Sequence, residues 1–165
     1  MLPLNEVIAM AAHEVSAQRD IVAEPAQVWA FMQDLERLGR FMSTVIAVQR
    51  LEGTGVAPGV RWKETRTEGG HTYEDEVTVE EADEPHRLVL LTQRNGTLLR
   101  TTYEIKPSSL GTRLVLTRAE GADKASAGQR LSWAMRGSSG DKGTKAILER
   151  DLEDIGKGVE HLLAR

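Results

Sequence analysis

The sequence predicts an α+β domain in which six or seven antiparallel strands curve around one long C-terminal helix. Stretches of alternating polar and apolar residues, separated by turn signals, follow one another from Val60 to Ala119. From Thr144 the apolar residues Leu148, Leu152, Ile155, Val159 and Leu162 recur at spacings of four, three, four and three, a continuous helical stripe that must pack on a sheet. The length of 165 residues suits one domain, large enough to bury about two-thirds of its unfolded surface.

The first strand is expected over His13 to Ile21, where Val15, Ala17, Arg19 and Ile21 share one face. Glu24-Pro25 then places proline at a first helical position, and Val28, Trp29, Met32 and Leu35 follow at helical spacing. These residues predict a helix to about Leu38, capped by Gly39. Thr44 to Leu51 is β-branched and apolar enough for a second strand, and Gly53 to Gly59 reads as turn. Further strands are expected near 60–67, 72–82, 86–94, 97–106 and 112–119, an antiparallel meander.

Asn95-Gly96 is the strongest turn signal, because a two-residue type I′ turn needs positive φ at both positions. It sets Arg94 opposite Thr97 and aligns Leu88, Leu90 and Thr92 with Tyr103, Thr101 and Leu99 on the inward face. Arg100 and Glu104 fall on the other side. Residues 121–143, rich in Gly, Ala, Ser and charge, are expected to be a mobile connection, helical at most in part, and the first ten residues to be ordered only in part.

A net charge of −4 and a pI near 5.6 argue against nucleic acid or an anionic membrane, which are bound through concentrated Lys and Arg. Without cysteine, disulfides, thiolate metal sites and cysteine nucleophiles are excluded. No stretch approaches the roughly 20 apolar residues that span a bilayer. The N-terminal stretch Met1 to Ala12 is short and interrupted for a signal sequence, so a cytoplasmic location is expected.

A resemblance rests on Glu24-Pro25-Ala26-Gln27-Val28-Trp29 with Asp34, Gly53-Thr54-Gly55, Pro58-Gly59-Val60-Arg61-Trp62, Pro85-His86-Arg87-Leu88 and Gly111-Thr112-Arg113-Leu114. With the order of elements, these make nearly the whole chain resemble the polyketide cyclase/dehydrase branch of the START-like superfamily, the helix-grip fold of birch-pollen-type allergens. The resemblance implies two short helices after the first strand. Its motifs are turn glycines, a capping proline and strand starts, which speak for fold and little for chemistry. Members often carry an aromatic residue in a Trp-Asp-like position where this chain has Phe41-Met42-Ser43, so a different pocket mouth is implied.

A four-residue loop Glu68 to His71 would pair Val60 with Val79, Trp62 with Val77, Glu64 with Asp75 and Arg66 with Tyr73 on the face toward the final helix. The expected ligand-binding set is Trp62, Glu64, Arg66, Tyr73, Asp75, Val77, Leu90, Thr92, Arg94, Leu99, Thr101 and Tyr103, with Leu148, Leu152 and Ile155 as the helical wall and Trp133 adding apolar surface. The alternative is that the strand tips reach past the helix and these charges are solvated or form ordinary cross-strand pairs worth ~0–1 kcal/mol. A Glu64–Asp75 pair would make one carboxyl harder to ionise, although Arg66 would weaken the effect. Glu64, Asp75, Tyr73 and Tyr103 are therefore the catalytic candidates.

His71 sits in a turn beside Gly69-Gly70 and reads as solvated, while His13, His86 and His161 have no ligand spacing, so neither metal nor cofactor is expected. Gly53-Thr54-Gly55 reads as a tight turn because no Gly-Lys-Ser/Thr follows it. The acidic run Glu74, Asp75, Glu76, Glu80, Glu81, Asp83 and Glu84 reads mostly as a solvated outer face. Gly156 and Gly158 interrupt the closing helix, where ligand access or simple looseness would account for them.

Three functions are carried forward. The first is binding or carriage of a small hydrophobic or amphipathic molecule by a monomer or homodimer. The second is a cyclase or dehydratase using pocket acid–base groups, and the third is a protein-interaction module with a collapsed core.

Overall fold

The computed structural model describes residues 13–121 and 127–165, with 127–140 given as helical backbone alone. Seven strands, β1 His13–Ile21, β2 Val45–Glu52, β3 Arg61–Glu68, β4 His71–Asp83, β5 Arg87–Arg94, β6 Thr97–Ser108 and β7 Gly111–Gly121, form one sheet. Their spatial order is β1-β7-β6-β5-β4-β3-β2, with every neighbouring pair antiparallel. Helices α1 Pro25–Gln33 and α2 Leu35–Phe41 follow β1, and α3 Ala127–Leu163 closes the chain. This is the helix-grip fold, curved sheet around long helix.

The helix that spacing predicts over 25–38 is two helices, as the resemblance implies. Asp34 ends the first, donating its N–H to the Phe31 carbonyl at 3.3 Å. It then caps the second, its carboxylate accepting from the Arg37 N–H at 3.1 Å. The start of α1 is fixed by Pro25 and by Glu24, whose N–H donates to Gln27 Oε1 at 2.8 Å. Gly39 is not a cap: it lies inside α2, where a Cβ would stand 3.3 Å from Val48 Cγ2. The absent side chain lets α2 approach β2.

Asn95 and Gly96 have φ of 47° and 78°, and Arg94 faces Thr97 as the turn requires. The β3–β4 turn is tighter than expected. Gly69 and Gly70, at φ of 57° and 81°, form a two-residue connection, so Glu68 pairs with His71 inside the ladder. The pairs Trp62–Val77, Glu64–Asp75 and Arg66–Tyr73 stand as expected. Because the strand continues one residue further, Glu68 joins the inward set.

The core lies between the concave sheet face and α3. Leu148, Leu152, Ile155 and Val159 are fully buried against Val15, Ile21, Leu114, Leu116, Val77 and Trp62, with Val28, Phe31 and Met32 of α1 closing one end. Helix α3 begins at Ala127, so 127–143 of the expected connection is helical; residues 122–126, the first twelve residues and the Trp133 side chain lie outside the described residues. On the outer face, Glu76 pairs with Arg61, and Glu80 lies 3.0 Å from Arg100. Cross-strand pairs of this kind contribute about 0–1 kcal/mol each.

Gly156 and Gly158 are explained by packing, not by looseness or ligand access. A Cβ on Gly158 would stand 2.5 Å from Phe31 Cζ and 3.1 Å from Phe41 Cγ, and one on Gly156 would stand 2.6 Å from Arg19 Nε. Gly158→Ala should therefore destabilise the fold: overpacking costs about 1–3 kcal/mol, more than the ~1 kcal/mol of helix propensity gained. Gly143→Ala, with nothing within 4 Å of its Cβ, should stabilise by up to about 1 kcal/mol. Urea unfolding of the two variants checks the opposite signs.

Candidate functional site

Alternation brings Glu64, Arg66 and Glu68 of β3 to the inward face together with Asp75 of β4, Arg94 of β5 and Arg118 of β7. Across from them, Asp151 projects from the apolar stripe of α3, one turn beyond Leu148. Asp151, Asp75, Glu68, Arg66 and Arg118 are 1 %, 3 %, 6 %, 8 % and 9 % exposed. The alternative of solvated strand tips is thereby excluded for these groups.

Arg66 lies at the centre. Its terminal nitrogens donate to Glu68 Oε1 at 3.1 Å, Asp151 Oδ2 at 3.0 Å and Thr44 Oγ1 at 3.1 Å. Its Nε lies 2.8 Å from Glu64 Oε1 without the alignment of a hydrogen bond. Thr44 donates in turn to Asp151 at 2.9 Å. Arg94 makes a two-pronged contact with Asp75 at 2.8 and 2.6 Å, donates to Glu68 at 2.8 Å and lies 4.0 Å from the Tyr73 ring centre. Arg118 donates both terminal nitrogens to Glu68 at 3.2 Å.

Three guanidinium groups and four carboxylates thus share one buried layer. Burial opposes ionisation of Glu68, but Arg118, Arg94 and Arg66 outweigh it and hold the carboxyl well below the ordinary glutamate range. Burial likewise works against the charge on Arg66, and Asp151, Glu64 and Glu68 more than restore it. The Tyr103 hydroxyl is pushed above the usual phenol range, first by burial and then by Asp151, against the opposing pull of Arg66. At neutral pH Tyr103 is a hydrogen-bond donor and not a base.

Glu64 and Asp75 face each other across the ladder, but each is engaged by its own arginine, and Glu64 also accepts from Trp62 Nε1 at 3.0 Å.

Below this layer is a cavity of about 50 Å³, bordered by Trp62, Glu64, Arg66, Asp75, Val77, Leu90, Thr92, Arg94, Leu99, Thr101, Tyr103 and Arg118. A smaller apolar space of about 20 Å³ adjoins it at Leu38, Trp62, Leu90 and Tyr103 and reaches Ile155. Above the layer, an open cleft of about 300 Å³ is walled by Glu68, Tyr73, Arg94, Leu99, Arg118 and Ile147. Arg94, Leu99 and Arg118 border both spaces and separate them. Of the expected set, Tyr73 borders the cleft, and Leu148 and Leu152 lie in the solid core without bordering any of the three spaces. Exposed His71 is at the cleft rim, and among the described residues no group of three acids or histidines is placed to hold a metal ion.

The link between α2 and β2 is bonded to α3. Ser43 donates its N–H and hydroxyl to Asp154 at 2.8 and 2.6 Å, and Arg150 donates to Ser43 at 2.9 Å. Phe41 packs edge-on against Phe31 at 5.6 Å, and Met42 borders the inner cavity. Sequence reasoning missed Glu68, Arg118 and Asp151. Arg118 extends the Thr112, Leu114, Leu116 alternation and Asp151 falls within the helical stripe, so each stood on an apolar face in plain view.

The layer should respond to mutation and to pH in defined ways. Asp151→Ala should cost about 3 kcal/mol in urea unfolding, the low end for a broken buried pair, because Glu64 and Glu68 still face Arg66. Glu68 binds its proton more weakly folded than unfolded, so its stabilisation is full above the ordinary glutamate value of 4.5 and is lost as pH falls below it. The stability difference between wild type and Glu68→Gln should therefore hold steady above that value and narrow below it, as unfolding curves across pH would show.

Residues 12–160 match the family described as polyketide cyclase / dehydrase and lipid transport. No curated protein matches the chain. Among solved structures, the protein TTHA0849 from Thermus thermophilus is 22% identical, with a TM-score of 0.74 over 91% of this chain and 99% of that one. The Zhui aromatase/cyclase of a Streptomyces species is 13% identical, with a TM-score of 0.74 over 92% and 96%. Ara h 8.0201 is 15% identical, with a TM-score of 0.61 over 93% and 99%. At these identities the structures share the fold, and the match along most of the sequence carries the further conclusion. The chain belongs to the polyketide cyclase/dehydrase and lipid transport family of the START-like superfamily.

Proposed function

We propose that the domain binds a small amphipathic molecule between the concave sheet face and α3, its polar end on the ionic layer and its apolar part against Leu99, Tyr73 and Ile147 of the cleft. The observation that carries this reading is the place of the layer, buried between an open cleft and an inner cavity that share Arg94, Leu99 and Arg118. Stability alone does not account for it, since well-packed apolar residues commonly stabilise as much as a buried ion cluster or about 1–4 kcal/mol more. Access from the cleft is favoured because the Phe41 to Thr44 end is bonded to α3. Family membership supports the same reading.

The inner cavity of about 50 Å³ has room for a few water molecules, against the roughly 300–1,000 Å³ of sites that enclose a drug-sized ligand. This volume favours a second reading, an interaction module whose core is filled. A cyclase or dehydratase has less support here, because Glu64 and Asp75 are held by arginines and Tyr103 remains protonated.

Native mass spectrometry of the freshly purified protein, beside its denatured mass, tests the first reading. A non-covalent adduct is the expected outcome. A bare mass, together with no thermal shift across lipophiles added at about a hundred times a plausible Kd, where ~2.7 kcal/mol of stabilisation is due, would leave the interaction module as the better account.

A further inference from the structure

We propose that the outer cleft takes a small organic carboxylate, whose anionic end replaces the Glu68 side chain on Arg94 and Arg118. The proposal rests on the small-molecule reading above and names the ligand class. Its starting point is the convergence of three guanidinium groups on one carboxylate. Glu68 accepts from Arg118 at 3.2 Å through both oxygens, from Arg94 at 2.8 Å and from Arg66 at 3.1 Å. Two parallel donors from one guanidinium are the geometry with which arginine recognises a carboxylate. Glu68 thus occupies a carboxylate site from within the chain.

Three further features suit an exchange. Glu68 ends β3 beside Gly69 and Gly70, both exposed, and no atom lies within 4 Å of where a side chain would begin on either. Open space therefore adjoins the backbone of the hairpin tip next to Glu68. Arg118 is buried, and its Nε has no hydrogen-bond partner, a donor that Glu68 leaves unused. Leu99, Tyr73 and Ile147 give the cleft of about 300 Å³ an apolar stretch for the body of the ligand, beside the polar Thr97, Thr144 and Glu120.

Charge selects the class. Replacing Glu68 by another carboxylate leaves the layer's balance of three guanidinium groups and four carboxylates unchanged. A neutral alcohol would break the ion pairs of Glu68 and supply no charge in return. A cation would have to displace Arg94 or Arg66, each of which holds two or more carboxylates.

The test compares decanoate and 2-naphthoate with 1-decanol and 2-naphthol, titrated into wild type and Glu68→Gln by calorimetry or ligand fluorescence. A glutamine gives up the charge-assisted bonds of the internal anion, so the variant should bind both carboxylates more tightly by about tenfold or more. It should bind the alcohols with little change. Carboxylate affinity that stays the same, or a gain shared equally by the alcohols, overturns the proposal. Alcohol binding without carboxylate binding overturns it and leaves the small-molecule reading standing; four silent probes on both proteins remove both. Should Glu68→Gln not fold, NMR on wild type decides. Decanoate should move the Arg94 and Arg118 Nε–H signals and 1-decanol should not, and signals unmoved by saturating decanoate overturn the proposal.

Discussion

The bond between Arg66 and Asp151 joins the two layers of this fold, and much of the interior is arranged around it. Arg66 stands on β3 and Asp151 on α3, 3.0 Å apart, with Thr44 bonded to both. A charge placed so deep must be met by its opposite, because an isolated buried ion costs several kcal/mol or more. Arg66 is met by Glu64, Glu68 and Asp151, and the carboxylate in excess of its single charge is met in turn by Arg94 and Arg118.

Close approach of α3 to the rest of the domain makes that bond possible. The helix lies against β1 and the two short helices at points where its own chain carries no side chain, with Gly158 beneath Phe31 and Phe41 and Gly156 beneath Arg19. Glycine costs about 1 kcal/mol per position in a helix interior, and here the cost is offset by packing that a methyl group would prevent. Two bonds from Ser43 to Asp154 hold the neighbouring end of α2 to the same helix. The open cleft lies at the hairpin tips.

The volumes set the scale of what the interior can do. Beside the ionic side chains the interior leaves a cavity of about 50 Å³. Room for a larger molecule lies outside the layer, in the cleft. Polar recognition and apolar contact therefore meet at one surface, formed by Arg94, Leu99 and Arg118.

Strand periodicity, the Asn95-Gly96 turn and the stripe from Leu148 to Leu162 determined the architecture from sequence alone, since each is a local pattern whose geometric consequence is unavoidable. The pairing of Trp62, Glu64 and Arg66 with Val77, Asp75 and Tyr73 was legible for the same reason. The split of the first helix at Asp34 was less so, because helical spacing continues across it and only the capping bond reveals the break. Tertiary structure decided which charges are buried. Alternation says that Arg118 faces inward and the helical stripe that Asp151 does, but each reads as an expensive exception until its partner from another element is in place. The same holds for Gly156 and Gly158, whose reason is an aromatic ring and a guanidinium more than a hundred residues away in sequence. A local pattern fixes direction; only the assembled layers supply the neighbour.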